Sequence, residues 1–134
     1  MNTKILMSAS AIILAVIGVL LSFLPHEILE YAHVSSVSGL PLILQLLGAA
    51  YLGFAMLNWM ARGNLIGGIY SRPIAIGNLM HFLVGGMALL KTASANSDSI
   101  ELWMAAAVYT IFAILYARVT FTHPIREANT KQTV

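Results

Sequence analysis

The sequence predicts an all-α membrane protein, a bundle of four transmembrane helices with the N and C termini in the cytoplasm. Hydrophobic residues make up 59% of the 134 residues and charged residues only 9%, whereas soluble domains contain about 45–50% apolar and about 25% charged residues. The apolar residues fall into four runs of the length that a helix needs to cross a bilayer, roughly 20 residues each. Four such spans leave only short connectors, so we expect a single domain covering residues 1–134.

The first predicted span covers residues 5–24, between Lys4 and Pro25. A signal-peptide core is shorter, roughly 7–15 apolar residues, so this run is expected to remain as a membrane span. In the following connector, residues 25–40, apolar residues such as Ile28 and Leu29 alternate with charged ones. This pattern is compatible with a short helix in the membrane interface.

The remaining spans are separated by turn-forming or polar segments. The second, residues 41–61, begins with Pro41, which is tolerated there because the missing N–H would have no partner in a first helical turn. Residues 62–72 combine two arginines with three glycines and predict a turn. The third span, residues 73–90, is expected to be the shortest, followed by a polar loop over residues 91–100. The fourth covers residues 101–121, and the tail, residues 122–134, is expected to be flexible.

The distribution of cations predicts the orientation. Of the seven lysines and arginines, only Lys91 falls on the side opposite to the other six. The positive-inside rule makes the cation-rich side cytoplasmic. We therefore expect a multi-pass protein of the cytoplasmic (inner) membrane, with residues 25–40 and 91–100 outside. The six cations on the cytoplasmic side are Lys4, Arg62, Arg72, Arg118, Arg126 and Lys131.

Four polar side chains within the second and third spans form the candidate site: Tyr51, Asn58, Asn78 and His81. Helical spacing places Tyr51 and Asn58 on one face of their span, and Asn78 and His81 on one face of the next. The two faces could meet as a polar seam. One interpretation is interhelical hydrogen bonding, which recurs in membrane proteins of every function. The other is a pocket open to the cytoplasmic leaflet that binds a quinone headgroup, a lipid headgroup or a proton at His81.

The first connector contains a second, weaker candidate. If this segment is helical, His26, Glu30 and His33 lie at positions i, i+4 and i+7 on one face. Imidazole nitrogen and carboxylate oxygen at that spacing could bind zinc, although polar residues on the wet side of an interfacial helix are the more common explanation. No cysteine, metalloprotease motif, phosphate-binding loop or serine nucleophile motif occurs in the sequence, which argues against an enzyme.

Small residues and net charge complete the sequence-based expectations. Ala49 and Gly53 form a small-xxx-small step, and Gly85 and Gly86 narrow the third span, so close helix approach is expected at these positions. The formal net charge is only +2, and the cations lie where topology requires them. We therefore predict no nucleic-acid partner.

Two runs between Leu47 and His81, LGAAYLGFAMLNW and YSRPIAIGN, look like segments of DoxX-like small bacterial membrane proteins. The chain also resembles this family in its four short spans, its polar loop after the first span and its glycine-rich basic turn. Family members have been linked to quinone-associated oxidation and to membrane complexes. The resemblance implies an accessory role and supplies no catalytic motif.

These observations favour a non-enzymatic structural or accessory subunit, embedded in lipid, that forms a homo-oligomer or joins a larger membrane complex without a cofactor. The alternative is a redox-associated protein that binds a quinone or lipid headgroup at His81. A small channel or transporter is less favoured, because no second titratable group lies near His81 and no inverted repeat is visible.

Overall fold

A computed structural model describes residues 3–34, 37–63 and 72–121. These residues form helices without any strand, and four of the helices are long and apolar enough to cross a membrane. The prediction of an all-helical chain with four candidate spans is confirmed. In chain order the helices are α1 (Thr3–Phe23), α2 (Pro25–Tyr31), α3 (Leu40–Ala61), α4 (Arg72–Ala95) and α5 (Ile100–Phe121).

The starts of α3 and α4 follow the predicted proline pattern. Pro41 is the second residue of α3, and Pro73 is the second residue of α4. Gly39 precedes α3 with a φ of 93°, a left-handed conformation that costs glycine little because it has no Cβ. The predicted short helix after the first span is also present, as α2. Its Pro25 and Leu29 are buried, and it packs against α1 and α3.

The prediction that the third span is the shortest was wrong. With 24 residues, α4 is the longest of the four long helices, because residues 91–95 continue it. The hydroxyls of Thr92 and Ser94 donate to the carbonyls of Ala88 and Leu90, at 3.0 and 2.7 Å. Small polar side chains therefore find acceptors on their own helix, and the polar composition that suggested a loop is compatible with a helical turn.

The chain divides into two compact units, residues 1–63 and 64–134. The first contains α1, α2 and α3, and the second contains α4 and α5. Within each unit the two long helices are antiparallel neighbours. That the two units form a single domain stays a prediction. The predicted glycine-rich turn lies mostly, and the flexible tail wholly, outside the described residues.

In the first unit, α1 and α3 approach closely at two glycines. A Cβ built on Gly48 would overlap the Ser22 hydroxyl and lie 2.8 Å from the Gly18 carbonyl oxygen. One built on Gly18 would lie 3.0 Å from the Gly48 carbonyl oxygen. The approach therefore uses Gly48, one position before the predicted step of Ala49 and Gly53. Both residues of that step are exposed.

In the second unit, the close approach predicted at Gly85 is confirmed. A Cβ on Gly85 would lie 2.8 Å from Tyr109 Cε1, which is too close, whereas one on Gly86 would lie 3.5 Å from Tyr109 Cβ, an ordinary van der Waals distance. Gly85 thus makes room on α4 for an aromatic side chain of α5.

The outward surfaces of the long helices are apolar. The buried share of the most apolar stretch is 33% or less in each of the four long helices. Large hydrophobic side chains such as Met60 and Ile111 are 76% and 57% exposed. Apolar surface on this scale is unfavourable in water and compatible with lipid. The four long helices thus have the surface as well as the length of transmembrane spans.

Candidate functional site

The buried polar contact of the first unit joins α1 to α3. Ser10 and Asn58 are both fully buried. The side-chain amide of Asn58 donates to Ser10 Oγ at 3.1 Å, and the Ser10 hydroxyl donates to the Met7 carbonyl oxygen, also at 3.1 Å. The Ser10 hydroxyl thus acts as acceptor for α3 and donor to its own helix, which links a backbone carbonyl of α1 to a side chain 48 positions away.

Sequence analysis identified Asn58 and missed Ser10. The signal was present, because Ser10, Leu14 and Gly18 recur every four residues and all three are buried on the face of α1 that meets α3. A hydroxyl on the same helix face as a glycine at a close helix crossing indicates which face contacts the neighbouring helix. The candidate site was drawn only from polar residues of the second and third spans, so Ser10 in the first span was not included.

The face of α3 that carries Tyr51 and Asn58 is turned inward within the first unit. Ala55 and Asn58 are buried on it, and Tyr51 and Arg62 are half-buried. Within the first unit this face turns toward α1, because Asn58 bonds to Ser10.

The predicted face of α4 turns toward α5. Asn78 is buried, and its amide donates to the Ile74 carbonyl oxygen of its own helix at 2.9 Å. His81 is half-buried, and its ring centroid lies 5.8 Å from that of Tyr109 on α5. Tyr51 and Asn58 belong to one unit, whereas Asn78 and His81 belong to the other. That the four side chains form one pocket stays a prediction.

His81 lies at the edge of an aromatic cluster formed by Phe82, Tyr109, Phe112 and Tyr116. Phe82 is at its centre, with ring centroids 5.3 Å from Tyr109, 4.8 Å from Phe112 and 5.7 Å from Tyr116. The imidazole meets the Phe82 ring edge-on, at 5.2 Å and 84°. The sequence analysis above did not identify this cluster. The spacing of the three on α5, at i, i+3 and i+7, was the available signal for one face.

The chemistry available at His81 is hydrogen bonding beside flat aromatic surfaces. A neutral imidazole provides one N–H donor and one acceptor nitrogen. Edge and tilted contacts with Phe82 and Tyr109 fix the plane of the ring. The arrangement is suited to holding a ligand that carries a carbonyl or hydroxyl group on an apolar body.

The predicted metal-binding face on the first connector is not formed as expected. His26 and Glu30 are exposed on α2, but this helix ends at Tyr31 and His33 has a φ of 52°. The N–H of His33 bonds to the Glu30 carbonyl, and the N–H of Val34 bonds to the Leu29 carbonyl, both at 3.0 Å. This pattern is a Schellman helix ending with His33 at the left-handed position.

The left-handed turn takes His33 out of helical register with His26 and Glu30, so the i, i+4, i+7 relation was wrong at its third member. Across residues 3–34, 37–63 and 72–121, no three His, Asp or Glu side chains are arranged to hold a metal ion. The role that the structure gives to His33 is to end a helix.

Comparison of the chain with family models, with curated proteins and with solved structures finds no match.

Proposed function

We propose that this chain is a four-span structural or accessory subunit of the bacterial inner membrane, with both termini in the cytoplasm, that works as a homo-oligomer or within a larger membrane complex. The resemblance of residues 47–81 to DoxX-like proteins agrees with this role, as does the concentration of six of the seven cations on one side of the predicted topology.

The observation that carries the proposal is that the buried side-chain amides form hydrogen bonds within the protein. Asn58 is hydrogen-bonded to Ser10 across the contact of α1 and α3, and Asn78 bonds to a carbonyl of its own helix. A hydrogen bond between two helices, such as that of Asn58 with Ser10, contributes roughly 0.6–2 kcal/mol to helix association in membranes. The bond of Asn58 therefore stabilises the α1–α3 pair, whereas that of Asn78 satisfies its amide within α4. Both buried amides are used within the fold, which agrees with a structural role.

Topology and assembly can be tested separately. Reporter fusions at each terminus should show both ends in the cytoplasm, and either end outside would overturn the orientation. The chain, of 14.4 kDa, should then be extracted directly into polymer-bounded native nanodiscs and its protein mass measured by light scattering. A multiple of the chain mass, or a fixed stoichiometry with another protein, is expected. A lone monomer under these conditions would contradict the assembly role.

One observation favours a second function, the binding of a quinone or lipid headgroup. His81 is only half-buried, at the edge of the buried rings of Phe82 and Tyr109, so its imidazole could bond to the carbonyl of a quinone or to a lipid headgroup. If this function is correct, purified protein should retain quinone or lipid, and His81→Ala should lower retention at least about fivefold, the loss of a hydrogen bond of about 1 kcal/mol. His26→Ala, on the exposed surface of α2, is the matched control. Equal retention by the two variants would exclude this function.

A further inference from the structure

The end of α3 carries an arginine that is stacked on a tryptophan. The guanidinium carbon of Arg62, the residue that follows the last turn of α3, lies 3.4 Å from the centroid of the Trp59 ring. Arg62 is half-buried, and Trp59 is 46% exposed. A cation over an indole face is held by the ring quadrupole. The contact fixes the plane of the guanidinium at the end of a predicted span, where a long cationic side chain otherwise moves freely.

One edge of this guanidinium is buried without an acceptor. Nη1 of Arg62 is buried and makes no hydrogen bond in the part of the chain that the structure describes. A buried donor attached to a charged group is unfavourable unless an opposite charge compensates it. Because the positive charge is delocalised over the whole group, an anion on the more open edge would compensate it. Nη1 reaches no carboxylate in residues 3–34, 37–63 and 72–121, so an anion from outside these residues would supply the compensating charge.

A second cation lies at the same end of the first unit. The contacts of Gly18 with Gly48 and of Ser10 with Asn58 show that α1 and α3 are antiparallel. Lys4 lies six positions before Ser10, and Arg62 lies four positions after Asn58. At 1.5 Å per residue these are about 9 and about 6 Å along the helix axes in the same direction. Lys4 and Arg62 therefore lie at similar depth, and they add positive charge to one end of this helix pair.

We infer that Arg62, held by Trp59 and supported by the charge of Lys4, binds the phosphate of an anionic phospholipid. The planar guanidinium can donate two parallel hydrogen bonds to phosphate oxygens, and a phospholipid phosphate lies at the depth where a span ends. The indole ring provides apolar surface for the glycerol and upper acyl chain. This inference depends on the four-span topology and not on the accessory role.

Tryptophan fluorescence can test the site directly, because the chain contains only two tryptophans. Trp103→Phe leaves Trp59 as the reporter beside Arg62. Trp59→Phe leaves Trp103, near Asp98 and Glu101 at the start of α5, as the control. Each protein is reconstituted in vesicles of phosphatidylcholine and phosphatidylglycerol, with bromine on the acyl chains of one lipid at a time. The ratio of tryptophan quenching by brominated phosphatidylglycerol to quenching by brominated phosphatidylcholine measures the local preference for phosphatidylglycerol, the anionic lipid.

The expected preference for phosphatidylglycerol at Trp59 is about fivefold, the effect of one cation near an anionic headgroup, and it should be near one at Trp103. Arg62→Gln in the Trp59 protein should abolish the preference, whereas Arg118→Gln, an exposed arginine in the last turn of α5, should leave it intact. Arg62→Lys should retain only part of it, because an ammonium lacks the planar pair of donors.

Three results would overturn the inference. They are an equal preference at the two tryptophans, a full preference in Arg62→Lys, and loss of the preference when inorganic phosphate replaces chloride at the same ionic strength. The last result would assign the site to a free anion and not to a lipid. An unchanged helical circular dichroism spectrum and thermal midpoint in Arg62→Gln would show that the variant remains folded, so loss of the preference could not then be attributed to unfolding.

Discussion

In the first unit, α1 and α3 meet through the backbones of Gly18 and Gly48 and through the Ser10–Asn58 hydrogen bond. In the second unit, α4 and α5 meet through stacked aromatic rings around Phe82, with Gly85 making room for Tyr109. Both pairs are antiparallel and apolar outside, yet one relies on close backbones and a polar bond and the other on large side chains.

The difference shows two solutions to the same physical problem. Lipid tails are as apolar as leucine, so burial of hydrophobic surface gives little drive for helices to associate in a bilayer. Association has to come from dispersion at close range or from hydrogen bonds. Glycines allow dispersion at close range by bringing backbones together, and aromatic rings allow it by presenting broad flat surfaces. The two units should therefore respond differently to the addition and the removal of side-chain volume.

The largest effect is expected from adding volume at the glycine crossing. Gly48→Leu should destabilise the first unit by about 3 kcal/mol, because even a Cβ would meet the backbone of α1, which cannot move aside as a side chain can. Unfolding free energy in bicelles measured by steric trapping would check this. The matched control is Gly53→Leu on the same helix, where no described atom lies within 4 Å of a built Cβ. Similar losses in the two variants would contradict the assigned crossing.

Removal of volume should matter most in the aromatic cluster. Phe82→Ala takes out the central ring, which is fully buried, and should cost about 2 kcal/mol. This is less than in a soluble core, because the lost contacts are not accompanied by exposure to water. Leu83→Ala, the neighbouring and 41% exposed position, is the control and should cost under about 0.5 kcal/mol. The same measurement of unfolding free energy applies, and equal effects at the two positions would show that the cluster does not hold α4 to α5.

A smaller effect is expected from the polar bond of the first unit. A double-mutant cycle with Ser10→Ala and Asn58→Ala should give a coupling energy of about 0.6 kcal/mol and no more than about 1.7 kcal/mol, the range found for such bonds in membranes. The cycle isolates the Ser10–Asn58 contact from any other contact that either residue makes. A cycle of Ser10→Ala with Thr92→Ala, an exposed residue of the other unit, should give zero. Zero coupling energy in both cycles would show that this hydrogen bond does not contribute to the association of α1 and α3.

An effect of similar size is expected outside the helix pairs, at His33. His33→Gly should stabilise the end of α2 by about 0.5–1 kcal/mol, because a left-handed backbone is unfavourable for residues with a Cβ. Slower amide hydrogen exchange at the Val34 N–H, which bonds to the Leu29 carbonyl, would confirm it. His33→Val should have the opposite effect. Faster exchange in the glycine variant would show that the imidazole itself holds this segment.

Much of the helical architecture could be predicted from the sequence. Length, apolar composition and prolines at helix starts located four spans. Both ends of α1, α3 and α5 agree with the predicted spans to within two residues. The end of α4 was missed because Thr92 and Ser94 bond to their own helix. Composition alone cannot show whether small polar residues at the end of a span begin a loop or extend the helix.

The sequence alone is enough to predict that the chain is helical and that four of its helices are long and apolar enough to cross a membrane. It also shows which few polar residues those helices contain. The folded arrangement was needed to show that Asn58 bonds to Ser10, that Gly48 makes the close contact beside the exposed Ala49, and that Phe82 lies at the centre of an aromatic cluster. This difference arises because these helices are apolar on every side. A lipid-facing leucine and a packed one have the same hydrophobicity, so periodicity shows little about which face meets another helix.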